Sequence, residues 1–96
     1  MTHVAWLQAA LDDLRGIHDY IACDNPAAAR RVVKVVRDDV KILHDHPAIG
    51  RPGRIDGTRE LVIVRYPYIV AYRETATRVE ILAVVHSSRL WPAQLP

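Results

Sequence analysis

Residues 78–86 read R-V-E-I-L-A-V-V-H, and this stretch decides the fold. Apart from its single Glu, the run from Val79 to Val85 is apolar and rich in β-branched residues, as in a strand buried in a sheet. A second such run, Y-I-V-A-Y-R-E at residues 68–74, precedes it and is separated from it by the turn residues 75–77. The two runs predict an antiparallel hairpin whose second strand is central and covered on at least one face.

The sequence before this hairpin predicts a third strand of the same meander. Residues 60–65 form a β-branched run, and the Tyr-Pro-Tyr triplet at 66–68 ends it, since proline cannot supply a ladder N–H in a central strand. Glycine and proline residues between Ala48 and Thr58 predict a loop that carries two arginines.

Two amphipathic helices are predicted nearer the N-terminus. Apolar residues recur at helical spacing from about Leu7 to Ala22, and again from Pro26 to about His44. Asn25 and the following proline are a typical helix start, and Pro47 ends the second helix. Residues 2–6 predict a short opening strand.

This order, β-α-α-β-β-β, predicts an α+β fold over residues 1–96, because 96 residues are too few for two independent cores. The helix hairpin is expected to lie across one face of a mainly antiparallel sheet that the N-terminal strand joins. The other face is expected to be partly open and therefore to offer a functional site.

Two details of the first helix carry specific expectations. Gly16 is expected to allow close packing of a neighbouring helix. Asp12 and Asp13 are adjacent, so their side chains diverge by about 100° on a helix. They are expected to complement the helix macrodipole in the first turn and not to act as an acid–base pair.

Composition excludes several classes of protein. The single cysteine, Cys23, excludes an internal disulfide and a cysteine-rich zinc site. No apolar run approaches the roughly 20 residues of a membrane span, and no signal-peptide pattern is visible, so a cytoplasmic location without membrane contact is expected. The sequence has no glycine motif for phosphates or dinucleotides and no metal-ligand spacing, so no cofactor and no metal are expected.

The identity of the charged residues is more informative than the net charge. The net charge is +2, which does not by itself indicate nucleic-acid binding. Arginine dominates the basic residues, and its guanidinium suits bidentate contacts to phosphate or carboxylate. Four basic residues share one face of the second helix, and we favour a solvated face over a specific contact surface: Arg30, Lys34, Arg37 and Lys41.

The candidate site lies at the strand ends. Arg59 and Arg65 flank the first strand of the meander, Arg73 ends the next, and His86 and Arg89 follow the last. In an antiparallel meander, the ends of the first and third strands are near each other, so Arg65, His86 and Arg89 are expected at one sheet edge. There they would hold a phosphate, with His86 for proton transfer. Solvated strand-end charges are an equally weighted alternative.

Several segments together resemble the RelE/ParE-type toxins over nearly the whole chain. The opening V-A-W-L-x-x-A-x-x-D-L-x-x-I-x-x-Y-I at residues 4–21 and the closing V-E-I-L-x-V-V-H-x-x-R-x-W-P at residues 79–92 carry most of the resemblance. Shorter matches lie between them, in order: N-P-x-A-A at 25–29, G-R at 50–51, R-E-L at 59–61, and I-V-A-Y-R at 69–73 after a tyrosine at 66 or 68.

The resemblance implies the toxin component of a type II toxin–antitoxin module, a system associated with plasmid stabilisation. Such a toxin inhibits growth and is neutralised by a cognate antitoxin, which folds on binding and forms a hetero-oligomer with it. Operator DNA is contacted only through the antitoxin. Leu90 and Trp91 are the expected antitoxin contacts.

The family divides by target, and this sequence departs from its RNA-cleaving branch. RelE-like members cleave mRNA on the ribosome with a basic sheet surface, whereas ParE-like members inhibit DNA gyrase and lack that surface. The two lysines of the cleaving branch correspond to Glu60 and Val62, and its phosphate-binding arginine to Ile69. Arg89 alone has a counterpart, and the C-terminal tyrosine of that branch has none.

We therefore expect a gyrase inhibitor and no enzyme, with Arg89, His86, Arg73, Arg65 and Arg59 binding the target. The first alternative is a ribosome-dependent mRNA endonuclease, an endoribonuclease in which Arg89, His86 and Arg73 are catalytic. The second alternative is a non-toxic interaction domain.

Overall fold

Two helices pack on one face of a five-stranded mixed sheet in a computed structural model that describes residues 1–88 and residue 95. The α+β prediction is confirmed. In chain order the elements are β1 (Val4–Trp6), α1 (Gln8–Ala22), α2 (Pro26–Val40), a 3-10 turn (Lys41–His44), β2 (Arg51–Pro52), β3 (Arg59–Ile63), β4 (Tyr68–Glu74) and β5 (Val79–His86).

The sheet has the order β1-β5-β4-β3-β2, with the predicted hairpin of β4 and β5 at its centre. The hairpin pairs Tyr68 with His86 at one end and Glu74 with Val79 at the other. A bulge beside Tyr72 interrupts the register. The N-terminal strand joins the sheet as predicted and pairs with β5 in parallel, whereas β3 is antiparallel to β4.

The hydrophobic core lies between the helices and the sheet. Because helical side chains three and four apart share a face, α2 directs one aliphatic stripe at the strands. Alternate residues of β4 and β5 meet this stripe. The buried residues of this core are Ala10, Leu14, Val32, Val36, Val40, Leu43, Ile63, Val70, Tyr72, Val79, Ile81 and Val84.

The second helix begins as predicted but ends earlier. The Asn25 side chain accepts a hydrogen bond from the Ala28 N–H at 3.0 Å, and proline occupies the first turn. The helix ends at Val40 and tightens into the 3-10 turn, so the prediction to His44 was wrong. This turn buries Leu43 and lets His44 bind the backbone of Thr2 through its carbonyl and its ring.

Strand boundaries differ from the prediction around the glycine-rich segment. The predicted loop contains β2, which pairs with β3 at the edge of the sheet. It was missed because Gly50, Pro52 and Gly53 are loop signals, yet a two-residue edge strand tolerates proline. The following strand, β3, ends at Ile63 and not at Arg65, because the turn to β4 begins at Val64.

The face of the sheet away from the helices, which we term the outer face, is partly open, as predicted. It carries Glu60, Val62, Ile69 and Ala71, which alternate with the core residues of β3 and β4. Ile69 and Ala71 are buried. The centre of the outer face is therefore closed, and its exposed part lies along β3, at Val62.

Both detailed expectations for the first helix were wrong. A Cβ at Gly16 would meet nothing within 4 Å, so this glycine serves no close packing. Asp12 and Asp13 lie beyond the first turn of α1. The Asp13 carboxylate instead accepts a 3.0 Å hydrogen bond from the Val84 N–H, on the stretch of β5 beyond the end of β1. Burial raises the pKa of Asp13 despite this hydrogen bond.

A buried tyrosine fastens the segment between the 3-10 turn and β3. The Tyr72 hydroxyl donates to the Pro47 carbonyl at 2.9 Å and accepts from the Gly50 N–H at 2.8 Å. Arg59 adds a 2.9 Å hydrogen bond from its guanidinium to the Gly50 carbonyl. Burial raises the pKa of Tyr72, so the hydroxyl stays a donor over the physiological range.

This contact predicts opposite effects at two glycines. A Cβ at residue 50 would lie 2.5 Å from the Tyr72 hydroxyl and 2.9 Å from the Glu60 carbonyl oxygen. Gly50→Ala is therefore expected to lower the free energy of unfolding by about 2 kcal/mol, as overpacking does. The control Gly16→Ala is expected to raise it by up to about 1 kcal/mol, because it removes a glycine from an open helix position. Urea unfolding of both variants measures this, and a loss at Gly16 equal to that at Gly50 would contradict it.

Candidate functional site

The sheet separates the predicted site residues into two groups. Arg59 lies opposite Tyr72, and Arg73 lies opposite Glu80, at one end of the strands. At the other end, His86 pairs with Tyr68 and Arg65 lies in the turn after β3. The ends are about 16 Å apart, since a strand rises about 3.3 Å per residue.

Arg65 and His86 thus share one end of the sheet, as predicted. Arg89, the residue expected beside them, lies outside the described residues, as do the expected antitoxin contacts Leu90 and Trp91. The structure therefore leaves these three predictions as they stand.

The two arginines at the opposite end hold parts of the fold. Arg59 binds the Gly50 carbonyl. The Arg73 Nε lies 2.8 Å from one oxygen of Glu80, and the Arg78 Nη2 lies 2.7 Å from the other. The two guanidinium groups hold the pKa of Glu80 below its usual value.

His86 has local partners at the end of β5. Its Nδ1 accepts a hydrogen bond from the Ser88 N–H at 3.1 Å, which puts the proton of the neutral ring on Nε2. Its ring meets the Tyr68 ring edge-on, with centroids 5.5 Å apart. The imidazole is therefore oriented, with one nitrogen left for an external partner.

Glu60 is a site residue whose contacts the sequence did not predict. Its carboxylate is 2 % exposed and sits under the segment that contains β2. Arg51 donates to Oε1 through Nε at 3.0 Å and Nη2 at 2.9 Å, and the Arg54 backbone N–H donates to Oε2 at 2.9 Å. Such a charge-assisted clamp neutralises a carboxylate that burial would otherwise destabilise.

Beside this clamp, the outer face continues into a groove that runs along the end of β3, the turn after it and the start of β4. Val62 and Val64 lie in it, exposed at 45 % and 91 %, and Arg51, Arg54 and Arg65 surround them. We term these five residues the β3 groove. It combines an exposed aliphatic centre with three guanidinium groups, a surface that sequence patterning at strand ends did not reveal.

A second groove runs between α2 and β1. The guanidinium of Arg37 lies over the Trp6 ring, 5.5 Å from its centroid. Asp38 pairs with Lys34 at 2.7 Å and with Lys41 at 3.3 Å, which lowers its pKa. This basic stripe borders an aromatic and aliphatic floor, and whether it is only a solvated face stays a prediction. We term it the α2 groove.

Within the described part of the chain, no group of three or more His, Cys, Asp or Glu side chains is placed to hold a metal ion. Its helices include none that is long and apolar enough to cross a membrane.

Comparison with known proteins establishes the family. The family model described as "ParE toxin of type II toxin-antitoxin system, parDE" matches residues 4–91. The chain belongs to the ParE toxin family. This assignment confirms the predicted toxin of a type II toxin–antitoxin system.

Relatives of this ParE-family chain span its length. It is 47 % identical over 92 residues to Y4kP of Sinorhizobium fredii, a protein named as a toxin, covering 96 % of this chain and 95 % of that one. It is 36 % identical over 90 residues to toxin RelE2 of Caulobacter vibrioides, covering 94 % and 100 %. A solved structure titled "Chromosomal ParDE TA system from P. aeruginosa" superposes with a TM-score of 0.81 at 28 % identity, over 90 % of this chain and 96 % of that one.

The pairing of Glu80 predicts an acid-sensitive contribution to stability. With a folded pKa below 4.5, the carboxylate stabilises the ParE fold above that pH, and this stabilisation is lost as pH falls through the folded pKa. Glu80→Gln is expected to lower the melting temperature at pH 7, because Arg73 and Arg78 lose the charge of Glu80, and to lower it by less at pH 3, where more of the carboxylate is protonated. The exposed control Glu74→Gln is expected to change little at either pH. An equal loss for Glu80→Gln at both pH values would contradict this.

Proposed function

We propose that this ParE-family toxin inhibits DNA gyrase and does not cleave RNA. The supporting observation is the chemistry of the outer face. Where the resemblance aligns the basic residues of the cleaving branch, this chain has a buried and paired Glu60, an exposed Val62 and a buried Ile69.

RNA cleavage through the 2′-hydroxyl develops charge on the phosphate, and preorganised cations must stabilise it. The guanidinium of Arg51 lies near this surface, but its donors are directed at Glu60. A phosphate there would compete with an internal carboxylate. Within the described residues, the donors of Arg51 are therefore already engaged at the place where that reaction would require a free cation.

The residues expected for an endoribonuclease are also far apart. Arg73 lies opposite Glu80, and His86 is six residues further along β5, which corresponds to about 20 Å. A single scissile phosphate does not reach both. We therefore propose that Arg65, His86 and Arg89 contact the target, and that Arg59 and Arg73 act mainly through the fold.

We further propose a cognate antitoxin as partner, in a hetero-oligomer in the cytoplasm. The P. aeruginosa structure that resembles this chain is titled as a toxin–antitoxin system. The α2 groove suits an acidic amphipathic antitoxin segment, because Arg30 and Arg37 would meet carboxylates while Trp6 and Val33 contact apolar side chains. Leu90 and Trp91 remain proposed contacts as well.

Purified toxin, freed from its antitoxin, is expected to inhibit supercoiling by purified gyrase, and its induction in cells is expected to arrest growth with a DNA-damage response. The gyrase assay is paired with primer extension on mRNA sampled soon after induction. Codon-specific cuts with unaffected supercoiling would favour the endoribonuclease and overturn the proposal. Full growth with neither effect would favour the non-toxic interaction domain.

Antitoxin binding is expected to raise the melting temperature, because a ligand of the folded state stabilises it by about 4 kcal/mol at a thousandfold excess over its Kd. Arg37→Glu is expected to weaken this binding about tenfold or more, since it places a like charge before the acidic segment. The control Arg31→Glu changes charge equally on the same helix, outside the α2 groove, and is expected to bind within about twofold of the unaltered toxin. Equal affinities for the two variants, measured by titration calorimetry, would exclude the α2 groove.

A further inference from the structure

We propose that the β3 groove is the surface that binds the target, and that it takes an extended, acidic segment of gyrase as an added β-strand. This inference rests on the proposed function, because it names the surface through which that inhibition would act. It concerns a part of the molecule away from the α2 groove, so target and antitoxin segments would occupy different places.

The backbone of β3 offers an incomplete edge. Its outer neighbour β2 has two residues and pairs only with Arg59 and Glu60. Among the described strands, none pairs with residues 61–63 on that side. An open strand edge presents N–H and C=O groups in register for another chain, which is the basis of peptide recognition by strand addition.

The side chains next to this edge are aliphatic and exposed. Val62 lies on the face that carries Glu60, and Val64 begins the turn after β3; both side chains line the groove. A valine that is 91 % exposed contributes nothing to the core. An incoming strand would bury both side chains and gain from their removal from water.

The rim of the groove is cationic and partly fixed. Arg51 is held by its two hydrogen bonds to Glu60 but remains half exposed. Arg54 lies beside it, also half exposed. Arg65 is exposed and has no ion-pair partner within the described residues. The exposed guanidinium of Arg65, beside those of Arg51 and Arg54, complements carboxylates on the bound segment.

This arrangement favours a protein segment over nucleic acid. Protein interfaces have an apolar centre and a polar rim, with arginine enriched. A nucleic-acid site puts its cations where the phosphates lie, whereas most of the side chains that line this groove are apolar or aromatic, Val62 and Val64 among them. The groove, of about 630 Å³, accommodates a few side chains of a bound peptide.

The test uses purified gyrase and toxin variants released from the antitoxin complex. Val64→Asp and Arg65→Glu are each expected to weaken gyrase inhibition and binding at least tenfold, and to relieve growth arrest in cells. Arg15→Glu, an equal charge change on the exposed side of α1, is expected to act within about twofold of the unaltered toxin. All three variants are expected to bind antitoxin like the unaltered toxin. Their melting temperatures are expected to lie within about 3 °C of that of the unaltered toxin, because the changed side chains are exposed.

Hydrogen exchange gives a second, direct readout. Gyrase binding is expected to protect the amides of residues 61–64, as pairing with an added strand would. Protection confined to the helices, or Val64→Asp and Arg65→Glu variants that inhibit gyrase and arrest growth fully, would overturn the inference while leaving gyrase inhibition intact. An unaltered toxin that does not affect gyrase would remove the proposed function and this inference with it. Tight binding of duplex DNA by toxin alone, lost in Arg65→Glu, would assign the groove to nucleic acid.

Discussion

The hydroxyl of Tyr72 is the contact on which the positions of the surrounding loops depend. It lies in the centre of the sheet, fully buried, and reaches both Pro47 and the backbone of Gly50. A buried hydroxyl must find partners, since an unpaired one costs about 1–3 kcal/mol. By taking both partners from one loop, the tyrosine fixes where the chain re-enters the sheet as β2. The placement of Arg51 above Glu60 follows from that fixed entry.

The Glu60 clamp shows how one substitution in a common fold changes what a surface can do. The family resemblance implies a lysine at this position in the RNA-cleaving branch, from which this sequence departs. Here the Glu60 carboxylate at this position holds the neighbouring segment in place. Arg51 donates two hydrogen bonds to it, and the backbone N–H of Arg54 donates a third. The guanidinium of Arg51 therefore stabilises the fold through Glu60. A surface that would otherwise attract phosphate is left with aliphatic side chains at its edge.

Sequence patterns predicted what depends on neighbouring residues and missed what depends on register. The β4–β5 hairpin and the start of α2 at Asn25 follow from local periodicity and capping, and the structure has both. The bond from Val84 to Asp13 joins residues 71 apart, so no spacing rule reveals it. The separation of Arg73 from His86, in contrast, follows from the hairpin, because Arg73 lies near its turn and His86 lies at the end of β5.

The two grooves differ in how their charged side chains are paired and exposed, and this difference distinguishes their proposed roles. In the α2 groove, Asp38 bridges two of the four basic side chains, and Arg30 and Arg37 are the ones that would meet an acidic partner. In the β3 groove, the internal carboxylate is buried and only its cationic partners face outward. Exposed Arg65 adds to them without a counter-charge among the described residues. A partner strand there would be attracted by the positive charge and would remove the exposed Val64 side chain from water. Because Glu60 is buried and Arg51 is half exposed, their ion pair stabilises the fold and still presents positive charge to the solvent.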